Sequence, residues 1–93
     1  MNKKKLNIAR EKINKIDQKI LLLIKRRTNV VDNMLNLKKY KNQIVDHRRI
    51  NEILKNIKKK SIKNKIDPKI TKRIWKEMIW SYVDYQRRRF GKK

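Results

Sequence analysis

The 93-residue chain has no cysteine, one glycine, one proline, one alanine, one histidine, and eight acidic residues against thirty lysines and arginines. Without cysteine there is no disulfide, no thiolate nucleophile and no thiolate metal site. His47 has no acidic or cysteine companion at ligand spacing, so it reads as a solvated first-turn residue. We expect no metal and no cofactor. Few glycines and prolines, with apolar residues at helical and not alternating spacing, point to an all-α fold of few, long helices. Long apolar runs are missing too. Met1 to Lys5 is basic, like the start of a signal peptide, but the only apolar run, Ile20 to Ile24, is too short and too distant to complete one or to span a membrane. The expectation is a cytoplasmic protein of one domain, residues 1–93, with basic tails at 1–5 and 91–93 and a modest core.

The formal net charge is +22. Such a chain binds polyanions whether or not that is its purpose. Its lysines, however, occur in every segment and on every helical face, and they accompany an excess of Ile and Asn. That pattern fits the compositional bias of an AT-rich genome better than a designed footprint. Non-specific nucleic-acid binding at low salt is expected, and a specific nucleic-acid partner is not.

The first helical stretch runs from Leu6 to about Tyr40. Ile13, Ile16, Ile20, Leu23, Ile24, Val30, Val31, Met34 and Leu35 form its apolar stripe. Arg27 and Lys38 fall on the same stripe, eleven residues apart, so at ~100° per residue they project from nearly one face. Cations on a core-facing stripe need an anion. That anion is either a bound dianionic small molecule or an internal carboxylate, Asp17 or Glu52. The helix would be about 50 Å long at ~1.5 Å per residue, against about 32 Å for a compact chain of this size. It must bury its excess against something, and a second copy in an intertwined homodimer is the economical partner.

The polar stretch Lys41 to Gln43 breaks the pattern, and Asp46 is a good N-cap for a second helix from about His47 to Asn64. Its inward face is Ile50, Ile53, Leu54 and Ile57. Asp67 followed by Pro68 starts a third helix. That helix turns Ile70, Ile74, Trp75, Met78, Ile79, Tyr82 and Val83 inward, with Gln86 one turn beyond Tyr82, and fades into the basic tail Arg87 to Lys93.

Several of these residues together carry a family resemblance. Ala9-Arg10-Glu11-Lys12-Ile13-Asn14-Lys15-Ile16-Asp17, Ile20 to Leu23, Arg26-Arg27 and Lys38, then Asp46 and Arg49 before Ile53-Leu54, Ile66-Asp67-Pro68 and Gln86, resemble the all-helical chorismate mutase class (type II) over about residues 6–90. The resemblance implies a homodimer of three-helix chains with two sites. Arg27, Lys38 and Arg49 would come from one chain and Arg10 from its partner. The spacing agrees for Arg10, which lies seventeen residues before Arg27, about 25 Å along the axis and too far to share one small ligand within a single helix. The substrate implied is chorismate or isochorismate, a compact dianion that rearranges pericyclically without a covalent catalyst. Arginine forks suit its carboxylates. Lys38 and the Gln86 amide would both donate to the ether oxygen whose C–O bond breaks.

Two departures point to one branch. Ile50 stands where mutases usually carry a glutamate that contacts the ring hydroxyl of chorismate, and Tyr82 stands where they carry a small hydroxyl residue. Both features, and the run Met78 to Gln86, resemble isochorismate pyruvate lyase, which forms salicylate. Chorismate mutase is the alternative activity. A basic helical dimer that binds nucleic acid without catalysis is the alternative from another class. Either Arg48 or Arg49 could face the site, since a one-residue slip exchanges them. Asp46 reads first as an N-cap, with substrate contact through its backbone as a second duty.

Overall fold

The computed structural model describes residues 2–92, so the terminal Met1 and Lys93 lie outside the described residues. Three α-helices carry the chain: α1 (Lys3–Leu37), α2 (His47–Lys63) and α3 (Pro68–Arg89), with one turn of 3-10 helix at Lys41–Gln43 between the first two. No strand occurs among the described residues, in line with the all-α expectation. The chain divides into two compact units, one ending at Asn33 and one beginning at Met34, and each is described by itself.

The first unit is the bulk of α1. The helix begins earlier than its apolar pattern suggests, because Asn2 caps it: the Asn2 side-chain oxygen accepts from the backbone N–H groups of Lys4 at 3.0 Å and Lys5 at 3.2 Å. Lys3 to Lys5 are therefore helical and not part of a tail. Within this chain the apolar stripe is open, with Ile13, Ile16, Ile20, Leu23 and Ile24 all exposed. Arg10 is exposed and Arg27 half-buried.

The second unit opens with the end of α1. That helix stops three residues short of the expected Tyr40, and Lys38 lies just outside it. The Lys38 N–H donates to Leu35 O at 3.1 Å, which tightens the last turn. The next two amides, those of Lys39 and Tyr40, donate to the side-chain oxygen of Gln43 at 2.8 and 2.9 Å. Gln43 thus takes donors that would otherwise have continued the helix.

Asp46 caps α2 by accepting from the Arg49 N–H at 3.0 Å, and Asp67 caps α3 by accepting from the Lys69 N–H at 2.9 Å, both as expected. The C-terminus of α2 closes with the Ile66 N–H on Ser61 O and the Lys65 N–H on Ile62 O, the Schellman pattern. Its left-handed residue is Lys65, at φ 59°, where glycine is usual.

α2 and α3 pack against each other. The face of α2 that turns inward is Ile50, Ile53, Leu54 and Ile57, continued one turn on by Ser61. The Ser61 hydroxyl lies 2.6 Å from both Ile57 O and the Thr71 hydroxyl, so it can donate to the carbonyl while accepting from Thr71. That bond turns Thr71 toward α2. The inward stripe of α3 is then Thr71, Trp75, Met78, Ile79, Tyr82, Val83 and Gln86, while Ile70 and Ile74, expected inward, are exposed on its flanks. A small core joins Leu35, Ile44 and Val83, flanked by Val45, Trp80 and Phe90. α3 itself continues to Arg89, through the arginines expected to begin its tail.

Candidate active site

Two elements of the second unit bring together two polar side chains that the sequence separates by 48 positions. The Lys38 ammonium, just past the end of α1, donates to Gln86 Oε1 on the last turns of α3 at 2.8 Å. Lysine has donors only, so this contact dictates which end of the amide faces it. The other end, Gln86 Nε2, donates to Tyr82 O one turn earlier at 3.2 Å. An amide nitrogen carries two hydrogens, which leaves one for a ligand. Lys38 likewise keeps two of its three.

Gln86 is buried at 8% exposure and Lys38 half-buried. Burial lowers the Lys38 pKa from the ordinary lysine value, because desolvation penalises the ammonium, and the Asp46 carboxylate opposes that shift in part. The ammonium is thus a partly desolvated cation held on a neutral acceptor. An incoming anion gains from such a group because less water must be stripped from it.

The other expected site residues of this unit fall around the start of α2 and the end of α3. Asp46 has the two roles already seen, N-cap and neighbouring charge to Lys38. Arg49 is exposed and ion-paired with Glu52 at 3.1 Å, one turn along α2. Glu52 therefore serves Arg49, while Lys38 is held by Gln86. Ile50 is buried on the face that α2 turns inward. Tyr82 is half-buried, its ring edge-on to Tyr85 at 6.2 Å, and the Arg89 guanidinium lies over the Tyr85 ring at 5.2 Å. His47 is exposed, its ring 6.3 Å from that of Trp80. A depression beside Lys38 is lined by Asn42, Gln43, Val45, Asp46 and His47.

The order Lys38, Asp46, Arg49, Gln86 is now matched by geometry at its two ends, and comparison with family models decides the class. The model for chorismate mutase type II matches residues 9–87. The chain belongs to the chorismate mutase type II family. Comparisons with curated proteins and with solved structures give no match. Membership makes the chain a chorismate mutase-like enzyme with a small anionic substrate, and cations with room to donate are what such a substrate requires. Among the described residues, no helix is long and apolar enough to cross a membrane.

Sequence reasoning passed over one residue beside this chorismate mutase-like site and one in the packing of α2 on α3. Gln43 was read only as part of a polar break, and nothing in the pattern signalled that its side chain ends α1. Ser61 did carry a signal, since it lies four residues after Ile57 on the apolar face of α2.

Proposed function

We propose that this chorismate mutase type II chain is an isochorismate pyruvate lyase, acting as a cytoplasmic homodimer in which Arg10 completes the partner's site. The observation that carries the choice of activity is Ile50, buried directly after Arg49 at the start of α2. An isoleucine cannot accept a hydrogen bond from the ring hydroxyl of chorismate. A wall without that acceptor loses selectivity for chorismate and tolerates the shifted hydroxyl of isochorismate.

In this reading Arg27 and Arg49, with Arg10 from the partner, grip the two carboxylates. Arg49 exchanges Glu52 for substrate, at small cost because that ion pair is solvent-exposed. Lys38 and the remaining Nε2 hydrogen of Gln86 meet the ether oxygen. The hydrogen on the hydroxyl-bearing ring carbon moves to the enolpyruvyl methylene as the neighbouring C–O bond breaks. The ring becomes salicylate and the side chain leaves as pyruvate, with no atom gained or lost. Negative charge gathers on the ether oxygen as that bond lengthens, where the two donors stabilise it. Tyr82 and Ile50 hold the ring in its compact conformer.

The second reading, chorismate mutase, is favoured by the activity for which the family is named. A paired assay with isochorismate and with chorismate, following salicylate fluorescence and chorismate absorbance, separates them. Salicylate formed faster than chorismate is lost supports the lyase. Faster chorismate loss makes the protein a mutase that works without the usual glutamate. Inactivity on both substrates favours the binding protein without catalysis.

A further inference from the structure

We propose that Gln43 is a positioning residue of this enzyme: its side-chain carbonyl ends α1 and thereby sets the Lys38 ammonium on Gln86. The inference rests on the role given to Lys38 above. Three observations support it. Gln43 Oε1 receives two successive backbone donors, Lys39 N–H at 2.8 Å and Tyr40 N–H at 2.9 Å. These are the two residues directly after Lys38. The Gln43 backbone N–H in turn donates to Tyr40 O at 3.1 Å, and Ile44 N–H to Lys41 O at 3.2 Å, so the turn is closed from both sides and anchored by buried Ile44.

No glycine or proline stands at this helix end, and Lys38 to Tyr40 carry no positive φ. Removing the Gln43 acceptor leaves two amide donors whose ready alternatives are the carbonyls of Leu35 and Asn36 in a longer helix. Continuing the helix past Lys38 would redirect the chain that follows and displace Ile44, whose packing with Leu35 and Val83 holds the end of α1 against α3 and so keeps Lys38 opposite Gln86. Gln43 need not touch substrate to matter. It acts through Lys38.

The test compares Gln43→Leu, which keeps most of the bulk and removes the acceptor, with Gln43→Glu, which keeps an acceptor oxygen. Three readouts are needed: amide hydrogen exchange at Lys39 and Tyr40, the NMR titration of the Lys38 ammonium, and steady-state kinetics with the substrate preferred by the native protein. In Gln43→Leu we expect faster exchange at both amides and a Lys38 pKa that moves back up toward the ordinary lysine range. We also expect kcat to fall about tenfold or more with KM changed little, since a misplaced group costs the transition state more than the ground state. Gln43→Glu should keep slow exchange and retain most of kcat. The proposal is overturned if Gln43→Leu exchanges faster yet keeps both its Lys38 titration and its kcat. It is equally overturned if exchange does not change, or if Gln43→Glu loses as much kcat as Gln43→Leu while its amides stay protected. Should the native protein turn over neither substrate, the functional reading fails and the positioning claim is still decided by exchange and titration. In that case an unmoved Lys38 titration in Gln43→Leu refutes it.

Discussion

Replacing Lys38 with methionine isolates the ammonium from the stem that carries it. The side chain keeps its apolar body as far as Cε, and loses a donor placed 2.8 Å from Gln86 Oε1. Loss of one preorganised donor to charge developing in a transition state costs about 10²–10³ in kcat, or roughly 3–4 kcal/mol. Stability should respond far less. The ammonium is penalised by burial in the folded chain, which its removal relieves, while Gln86 Oε1 loses a partner at a cost of about 1–3 kcal/mol. The pH dependence carries a sharper signature. The folded-state pKa of Lys38 lies below its unfolded value, so the unfolded chain binds more protons in the interval between them and stability rises with pH there. The penalty is fully present below the folded pKa and gone above the unfolded one. Catalysis runs the other way, because it needs the proton. Across this alkaline window the native enzyme should therefore lose kcat while its Lys38 contribution to stability improves, and Lys38→Met should remove that contribution. Steady-state kinetics and urea unfolding over pH 7–11 would measure both. The reasoning fails if Lys38→Met retains more than about a third of native kcat, or if its nucleic-acid affinity falls as steeply as its turnover.

Gln86→Glu replaces a neutral donor with a carboxylate that donates only when protonated, so its rate should climb as pH falls from 7 to 5, whereas the native rate should show no requirement for acid; pH–rate profiles of both proteins decide this. Lys65→Gly should stabilise the chain by about 1 kcal/mol by removing the left-handed strain at φ 59°, seen as a higher urea midpoint with unchanged kcat. Ser61→Ala should cost about 1 kcal/mol, since it leaves the Thr71 hydroxyl only its long contact to Pro68 O at 3.5 Å, and Ser61→Ala with Thr71→Val should cost less than the sum of the single changes, as a double-mutant cycle in urea would show. Mixing an inactive Arg10→Ala protein with an inactive Lys38→Met protein should restore up to about a quarter of native activity, since half of randomly formed dimers are mixed and one of their two sites is intact. No recovery after co-refolding would remove Arg10 from the partner's site.

The helices and the starts of α2 and α3 were legible because their signals are local. Asp46 and Asp67-Pro68 specify N-termini through side chains within three residues of the amides they serve. The pairing of Arg49 with Glu52 is also an adjacent-turn contact, but the sequence reading offers Glu52 to Arg27 and Lys38 instead. Helix ends were harder. The end of α1 depends on Gln43 reaching back over a turn that has no glycine, and the end of α2 uses a lysine at a position where glycine would have announced it. Gln86 was simpler to place, because it lies inside a regular helix, one turn past Tyr82 on the same inward stripe. The exposed Ile70 and Ile74 show the complementary limit. Apolar spacing identified the helix, but the Ser61–Thr71 hydrogen bond chose which part of its apolar arc turns inward.

Charge links the site to the stability of the whole chain. A protein at +22 repels itself at low ionic strength, and any bound anion lowers that repulsion. A generic polyanion does so through many exposed lysines, and its effect should fade steeply with salt as counterion release weakens. The dianion of the proposed reaction meets at least one partly desolvated cation, Lys38, beside a neutral acceptor that is itself buried. Its stabilisation should survive salt better, because screening acts least on charges removed from water. The same comparison therefore separates the catalytic reading from the binding one: stabilisation by substrate that persists as salt rises is the mark of a site, whereas stabilisation that disappears with salt is the mark of surface charge alone.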